Sequence, residues 1–178
     1  MTSIFGIDGG SPDVRAAEHL LAEIIAALGA NMVLFGCTHL VRTSEPHIAL
    51  SVELREADAA EIIPAALRIA RPGSGKGCAA EAARAHYHRS SGRAVRFPGQ
   101  QRLTGVLPVR EVLAKSAIDG ILVLAAPAPD PSTLVDTRGF LRPLWQDGQL
   151  ILHTVPAANG TLAPFELENP TPCCADHA

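Results

Sequence analysis

The sequence has few aromatic side chains, few lysines and no long apolar run. Aromatic residues make up 4% of the 178 residues, so aliphatic side chains and alanine must form most of the core. No stretch reaches the roughly 18 consecutive apolar residues that span a bilayer, so no membrane partner is expected. The N-terminal MTSIFGIDGG lacks the basic and apolar segments of a signal peptide. The sequence therefore predicts a cytoplasmic protein.

Cysteine is also scarce, with four residues at positions 37, 78, 173 and 174. This number and spacing do not suit the disulfide framework of a small secreted domain. In a reducing compartment such cysteines are free thiols, metal ligands or small buried side chains. Lysine occurs twice and arginine thirteen times, which, with the abundant alanine, is typical of GC-rich bacterial coding.

The overall composition is that of a folded domain. Hydrophobic residues make up 47% and charged residues 19% of the chain, and the length suits one domain. Ser11-Pro12-Asp13 is a typical helix start, with Ser11 as a candidate cap, and apolar residues then recur at helical spacing until Gly29. The short apolar run 31–36 predicts a buried strand. Alternation over 47–55 predicts a half-exposed strand.

Helices and strands continue to interleave through the middle of the chain. The patterns predict helices over 57–70, over 78–89 and from Pro108, and a short strand over 95–97. The wholly apolar run 120–126 predicts a central strand that is covered on both faces.

The C-terminal third is different. Asp147-Gly148 and Asn159-Gly160 are strong hairpin signals, so strands over 139–146, 149–155 and 161–167 are expected to form an antiparallel meander. Residues 1–167 are predicted to form a single mixed α/β domain, followed by an irregular tail over 168–178.

Charge is distributed unevenly along the chain. The net charge of −3 argues against a nucleic-acid partner. Residues 68–102, however, have a net charge of +7, whereas residues 1–67 have a net charge of −6 and residues 103–178 one of −4. The positive block also contains the glycine-rich run 73–77 in front of a predicted helix.

A glycine-rich loop that leads into a helix offers free backbone amides and the positive end of the helix dipole to an anion. We therefore predict a site for a small phosphate-bearing ligand such as a nucleotide or coenzyme A. Its residues are Arg71, Gly73, Gly75, Lys76, Gly77 and Arg84. The alternative is a solvated loop beside an arginine-rich exposed helix face.

The tail suggests a second kind of site. It contains two thiols, a carboxylate and an imidazole within five residues, all of them ligands for zinc or copper. These residues are Cys173, Cys174, Asp176 and His177. The prediction is a metal- or thiol-handling accessory protein that uses a divalent transition metal, and the alternative is a disordered tail with incidental chemistry.

A third candidate is the run Gly36-Cys37-Thr38-His39, which follows a predicted buried strand. It resembles the Gly-Cys-Thr-His segment of the aspartate/glutamate racemase family. The resemblance implies that Cys37 is an acid/base thiol that exchanges a proton at an amino-acid α-carbon, with His39 lining the site. The alternative is a buried structural cysteine.

Several functions from different classes therefore remain open. They are binding of a small anionic ligand at 71–77, metal or thiol handling through the tail, and a non-catalytic structural or partner-binding role, which includes a homo-oligomer. A racemase-like enzyme that uses Cys37 is the most distant alternative.

Overall fold

A computed structural model of the protein describes residues 2–42, 46–55, 68–73 and 76–168. Their strands are β1 Thr2–Ser11, β2 Val33–Val41, β3 His47–Arg55, β4 Arg68–Ala70, β5 Arg93–Arg96, β6 Val106–Pro108, β7 Gly120–Val123, β8 Leu134–Asp136, β9 Leu144–Gln146, β10 Gln149–Pro156 and β11 Leu162–Pro164. Their α-helices are α1 Val14–Leu28, α2 Cys78–Tyr87 and α3 Val109–Lys115. Short 3-10 turns lie at Gln100–Arg102 and Ala158–Gly160.

All of these strands belong to one mixed sheet. Its order is β4-β1-β3-β2-β5-β9-β10-β11-β8-β6, and β7 pairs with β10 beside this path. The β7–β10 and β8–β11 pairs are parallel, whereas β1–β3 and β3–β2 at the N-terminal end are antiparallel. The predicted mixed α/β fold is confirmed, and β9, β10 and β11 form the predicted antiparallel meander.

The two hairpin signals mark the turns of this meander. Asp147 and Gly148 have φ of 48° and 85°, as a two-residue type I′ turn requires, and they join β9 to β10. The Asn159-Gly160 turn joins β10 to β11. The predicted strand 139–146 is reduced to the three residues of β9, because Arg138 and Gly139 both take positive φ in a turn.

Helix α1 covers one face of the N-terminal strands. Asp13 is its cap, and the Asp13 carboxylate accepts a hydrogen bond from the Ala16 amide at 2.8 Å. Ser11, the predicted cap, instead ends β1. The buried stripe of α1 packs against apolar side chains of β1 and β3, namely Phe5, Ile7, Ile48, Leu50, Val52 and Leu54.

Helix α2 packs against the opposite face of the same strands. Gly6 in β1 permits this approach, since a Cβ at Gly6 would lie 1.8 Å from the carbonyl oxygen of Ala79 in α2. As a result, Ser51 and Glu53 on the α2 side of β3 are only 0% and 6% exposed. The prediction of a half-exposed strand over 47–55 is therefore wrong, because polar residues alternate along β3 but a second helix covers them.

Replacement of Gly6 by alanine is expected to lower the free energy of unfolding by about 3 kcal/mol or more, at the upper end of overpacking costs. The added methyl would overlap a backbone carbonyl, so α2 has to move away from the sheet. Gly10→Ala is the matched control. Gly10 has φ of +65° but open space around it, so the Gly10→Ala substitution should cost only about 1 kcal/mol of backbone strain. Urea unfolding measures the free energy of unfolding of both variants. Equal losses of stability in the two would contradict the close packing of α2 against Gly6.

A larger apolar cluster joins α3 to the C-terminal strands. Its fully or nearly fully buried members include Phe97, Val112, Leu150 and Leu152. Strand β7 belongs to this region. The prediction that a strand over 120–126 is covered on both faces is wrong, because Leu122 is 40% exposed. The strand is also shorter than predicted, because the chain turns at Ala125, where φ is 58°.

Two further predictions change near the N-terminal strands. Strand β2 runs to Val41 and is longer than the predicted 31–36, because Cys37 and His39 are buried within the sheet. Residues 68–70, predicted as the end of a helix, form β4 and pair with β1. The rest of that predicted helix, 57–67, lies outside the described residues. Within the described ranges, no helix combines the length and apolarity needed to cross a membrane.

Candidate metal centre

Strands β2 and β3 place polar side chains on the face of the sheet that α2 covers. Side chains alternate along a strand, so Cys37 and His39 share one face. Across the antiparallel pair Cys37 lies opposite Ser51, and Phe35 lies opposite Glu53. Cys37 and Ser51 are fully buried and His39 is nearly so. The sheet thus encloses a thiol, an imidazole and a hydroxyl.

Helix α2 adds a second imidazole to this cluster. His86 is fully buried and lies seven residues after Ala79 on the alanine stripe that faces the sheet. His86 is not among the site residues that the sequence predicts. The overlooked signal was the spacing of Ala79, Ala82, Ala83 and His86 (i, i+3, i+4, i+7), which assigns His86 to the buried face of α2.

The donor atoms of these residues converge. The Ser51 hydroxyl lies 2.7 Å from His39 Nε2 and 2.6 Å from His86 Nδ1. The ligand atoms of Cys37, His39 and His86 lie within 4.8 Å of one another. Cys37 and His39 of β2 and His86 of α2 therefore bring one sulfur and two nitrogens close enough to bind one ion.

An ion pair behind His86 determines the protonation of the cluster. Burial alone would raise the pKa of Glu53, but His86 and the Arg89 guanidinium outweigh it and hold that pKa at about 2. The Arg89 guanidinium donates to Glu53 at 2.6 Å, and His86 Nε2 lies 3.5 Å from the same carboxylate. A carboxylate favours the proton on the Nε2 that faces it, which leaves the His86 Nδ1 lone pair directed at Ser51. Ser51 then donates to His86 and accepts from His39.

Burial keeps the potential ligands uncharged. It raises the pKa of the Cys37 thiol to about 12 and lowers the pKa of His39 to about 3, with the nearby His86 adding to the second shift. Burial also lowers the pKa of His86. At neutral pH the cluster therefore contains a protonated thiol and two neutral imidazoles, and each imidazole offers a lone pair.

Aromatic rings enclose one side of the cluster. The Arg89 guanidinium lies 4.9 Å from the centre of the Phe35 ring and 4.4 Å from that of Trp145, which fixes the ion pair in place. Among the described residues, no hydrogen-bond partner reaches the buried Trp145 indole N–H or His39 Nδ1. Trp145 favours the thiolate form of Cys37, so a charged sulfur would find a donor already present.

This geometry suits metal coordination better than nucleophilic catalysis. Ser51, His86 and Glu53 form a hydroxyl–imidazole–carboxylate series of the kind that activates a nucleophile. The Ser51 side chain, however, has no exposed surface on which a substrate could bind. Convergence of one thiol and two imidazoles is instead what a transition metal requires, and His86 backed by Glu53 is the carboxylate–histidine arrangement that orients metal ligands.

The apolar run 31–36 predicts that Cys37 follows the end of a buried strand, and that position is wrong. Cys37 lies at the centre of β2, fully buried between β3 and β5. His39 lies two residues further along β2, on the same face of the sheet. The proton-transfer role of the two residues stays a prediction.

Of the predicted anion-site residues that the structure describes, all but Arg84 precede α2 in the sequence, and Arg84 lies in the last turn of α2. Gly73, Lys76 and Gly77 are exposed, and Gly75 lies outside the described residues. Arg71 lies over the Phe5 ring at 4.7 Å. Arg84 is exposed on α2, seven residues beyond Gly77 or about 10 Å along the helix axis. Anion binding here stays a prediction.

The four predicted tail ligands, Cys173, Cys174, Asp176 and His177, lie outside the described residues. Comparison of the chain with protein-family models, with curated proteins and with solved structures finds no match.

Proposed function

We propose that the protein binds a copper(I) ion through Cys37, His39 and His86. The observation that carries the proposal is the convergence of one sulfur and two imidazole nitrogens within 4.8 Å, supplied by two separate elements and fully enclosed. Thiolate and imidazole are donors that copper and zinc prefer. On binding, the Ser51 hydroxyl gives up its position between the two imidazoles to the ion, and the His39 proton moves from Nε2 to Nδ1 of the same ring, which frees the Nε2 lone pair.

Charge balance favours copper(I) over zinc at this site. One Cys37 thiolate neutralises a monovalent ion, whereas a divalent ion would leave an uncompensated positive charge in the core. Glu53 does not cancel that charge, because Arg89 already pairs with it. A buried charge without a partner is costly, so the ligand set suits an ion of charge +1.

The protonated thiol does not prevent binding. A thiol pKa of about 12 is three units above the ordinary value of 9.0, which adds about 4 kcal/mol to the cost of forming the thiolate. For comparison, structural zinc sites in zinc-finger peptides provide about 10–16 kcal/mol at pH 7, several times this cost. The balance remains in favour of the metal, and the displaced proton leaves with the buffer.

Burial of the ligands favours holding the ion over reacting with it, since Cys37 and His86 are fully buried and His39 is only 6% exposed. A site without an exposed face leaves no position for water or substrate, in contrast to catalytic metal sites. We therefore propose copper(I) sequestration in a reducing compartment such as the predicted cytoplasm, where both the thiol and the cuprous state persist.

Copper(I) binding is measured anaerobically by competition with a coloured chelator, using the full chain. Wild-type protein should bind copper at the buried site, and His86→Gln should lose one equivalent. His88→Gln is the matched control, since His88 lies two residues away but is exposed. Each variant is also made with Cys173→Ser and Cys174→Ser, which removes the thiols of the tail.

Three results decide between the sites. Loss of one equivalent in His86→Gln and in Cys37→Ser, with His88→Gln unchanged, supports the buried site. Unchanged copper in both variants overturns it. Copper that disappears only with Cys173→Ser and Cys174→Ser overturns it as well and assigns the metal to the tail.

A further inference from the structure

A second group of converging ligands lies at the other end of α2. It consists of Asp8 of β1, His47 of β3 and Cys78, the first residue of α2. One donor atom from each lies within 4.8 Å of the other two. Unlike the buried cluster, all three residues are of intermediate exposure.

The fold holds two of these groups in place before any ligand binds. Asp8 Oδ1 accepts a hydrogen bond from the Gly10 amide at 3.0 Å and lies 3.1 Å from His47 Nε2. The pairing of β1 with β3 changes register between Ile7 and Ser11, and this bulge brings Asp8 to the His47 end of β3. Asp8 and His47 keep 10% and 19% of their side-chain surface exposed, so water reaches the group.

A thiol, an imidazole and a carboxylate can form a nucleophilic triad or a metal site, and geometry distinguishes the two. In a nucleophilic triad the imidazole lies between the thiol and the carboxylate, which keeps those two apart. Here the Cys78 sulfur lies within 4.8 Å of the Asp8 oxygen as well as of His47. Burial, Asp8 and Glu81 also raise the pKa of the Cys78 thiol, the opposite of an activated nucleophile. Mutual proximity is typical of ligands around one ion.

We propose that Asp8, His47 and Cys78 form a second metal site, open to solvent, that binds a divalent ion of the zinc class with water as the fourth ligand. The charges balance for an ion of +2, since the carboxylate and the thiolate each contribute −1. Oxygen, nitrogen and sulfur donors all bind zinc, and three protein ligands with one open position are typical of an exchangeable site. The thiol proton is released to solvent on binding.

The two sites are structurally separate. They share no ligand, and the apolar side chains of Val41, Ala49 and Ala82 pack together beside Cys78. Ala82 lies one helical turn from both Cys78 and His86. The inference therefore goes beyond the copper proposal and does not depend on it.

The test is zinc stoichiometry and affinity of the full chain by equilibrium dialysis, in the background that carries Cys173→Ser and Cys174→Ser. His47→Gln and Cys78→Ser should each lose one zinc equivalent or bind it at least tenfold more weakly. His19→Gln, an exposed histidine of α1 that pairs with Glu23, should keep it. Cobalt(II) in place of zinc should give a thiolate-to-metal charge-transfer band that Cys78→Ser abolishes.

Failures of the two proposals are distinguishable. Zinc retained by both His47→Gln and Cys78→Ser overturns the open site, and so does a cobalt spectrum without a thiolate band. Copper(I) binding by His47→Gln and Cys78→Ser should remain at the wild-type level. In the same way, His86→Gln should still bind zinc at the open site. Cys78 is half-buried at the start of a helix and serine is close to it in size, so Cys78→Ser keeps the proposal testable if His47→Gln does not fold.

Discussion

The affinity of the Cys37–His39–His86 site for copper(I) is expected to rise about tenfold for each unit of pH, or about a thousandfold from pH 5 to pH 8. One proton must leave because the pKa of Cys37 is about 12. The imidazoles add none, since His39 has a pKa of about 3 and burial also lowers the pKa of His86. Metal ligands have to be deprotonated, and here only the thiol still has to lose its proton.

An exposed site of the same composition would behave differently. Two ordinary histidines with pKa near 6.5 would each add up to about 1.5 further factors of ten at pH 5. Its affinity would then change about a millionfold over the same range. Chelator competition at several pH values separates the two cases. A slope that approaches three protons below pH 6 would contradict the enclosed, neutral imidazoles described above.

Substitution of Glu53 by glutamine should cost about 3–5 kcal/mol at pH 7, a large part of the roughly 5–15 kcal/mol that stabilises a domain. The variant leaves the half-buried Arg89 charge without its partner, and it removes the acceptor behind His86. Glu111→Gln is the control. Glu111 pairs with Lys115 on the exposed side of α3, so its substitution should leave the free energy of unfolding nearly unchanged.

The pH dependence of this loss identifies its cause. The folded pKa of Glu53, about 2, lies below its ordinary value of 4.5, so the stabilisation is present above pH 4.5 and is lost as the pH falls towards 2. The shift corresponds to up to about 3 kcal/mol. Denaturant unfolding should therefore show wild type and Glu53→Gln converging between pH 4.5 and pH 2. A constant difference across that range would assign the effect to packing.

Local patterns in the sequence were enough to predict much of the fold. The helical spacing before Gly29, the glycine at the hairpin turn 147–148 and the alternation over 47–55 each specify an element from neighbouring residues alone. Errors arose where long-range packing decides. Nothing within 47–55 indicates that α2 will cover its polar side, because that depends on Gly6 forty residues earlier.

The candidate site shows the same difference between what local patterns predict and what long-range packing decides. Cys37 and His39 were singled out because they lie two residues apart in one motif, and the structure places them side by side. His86 lies 47 positions beyond His39 in the sequence and was not among the predicted site residues. Its buried position could be read from the alanine stripe of α2, but its partners depend on the register of β2 against β3. The open group of Asp8, His47 and Cys78 likewise depends on pairing across three elements.

The position of Trp145 gives the protein an internal optical probe. It is the only tryptophan in the chain, it is 6% exposed, and its ring packs 5.4 Å from Phe35 and 4.4 Å from the Arg89 guanidinium. Intrinsic emission excited at the indole band therefore comes from this one location beside the buried cluster. An ion that binds at Cys37 should change its intensity, whereas an ion at Cys78 should leave it unaltered, so the filling of each site can be followed separately in unlabelled protein.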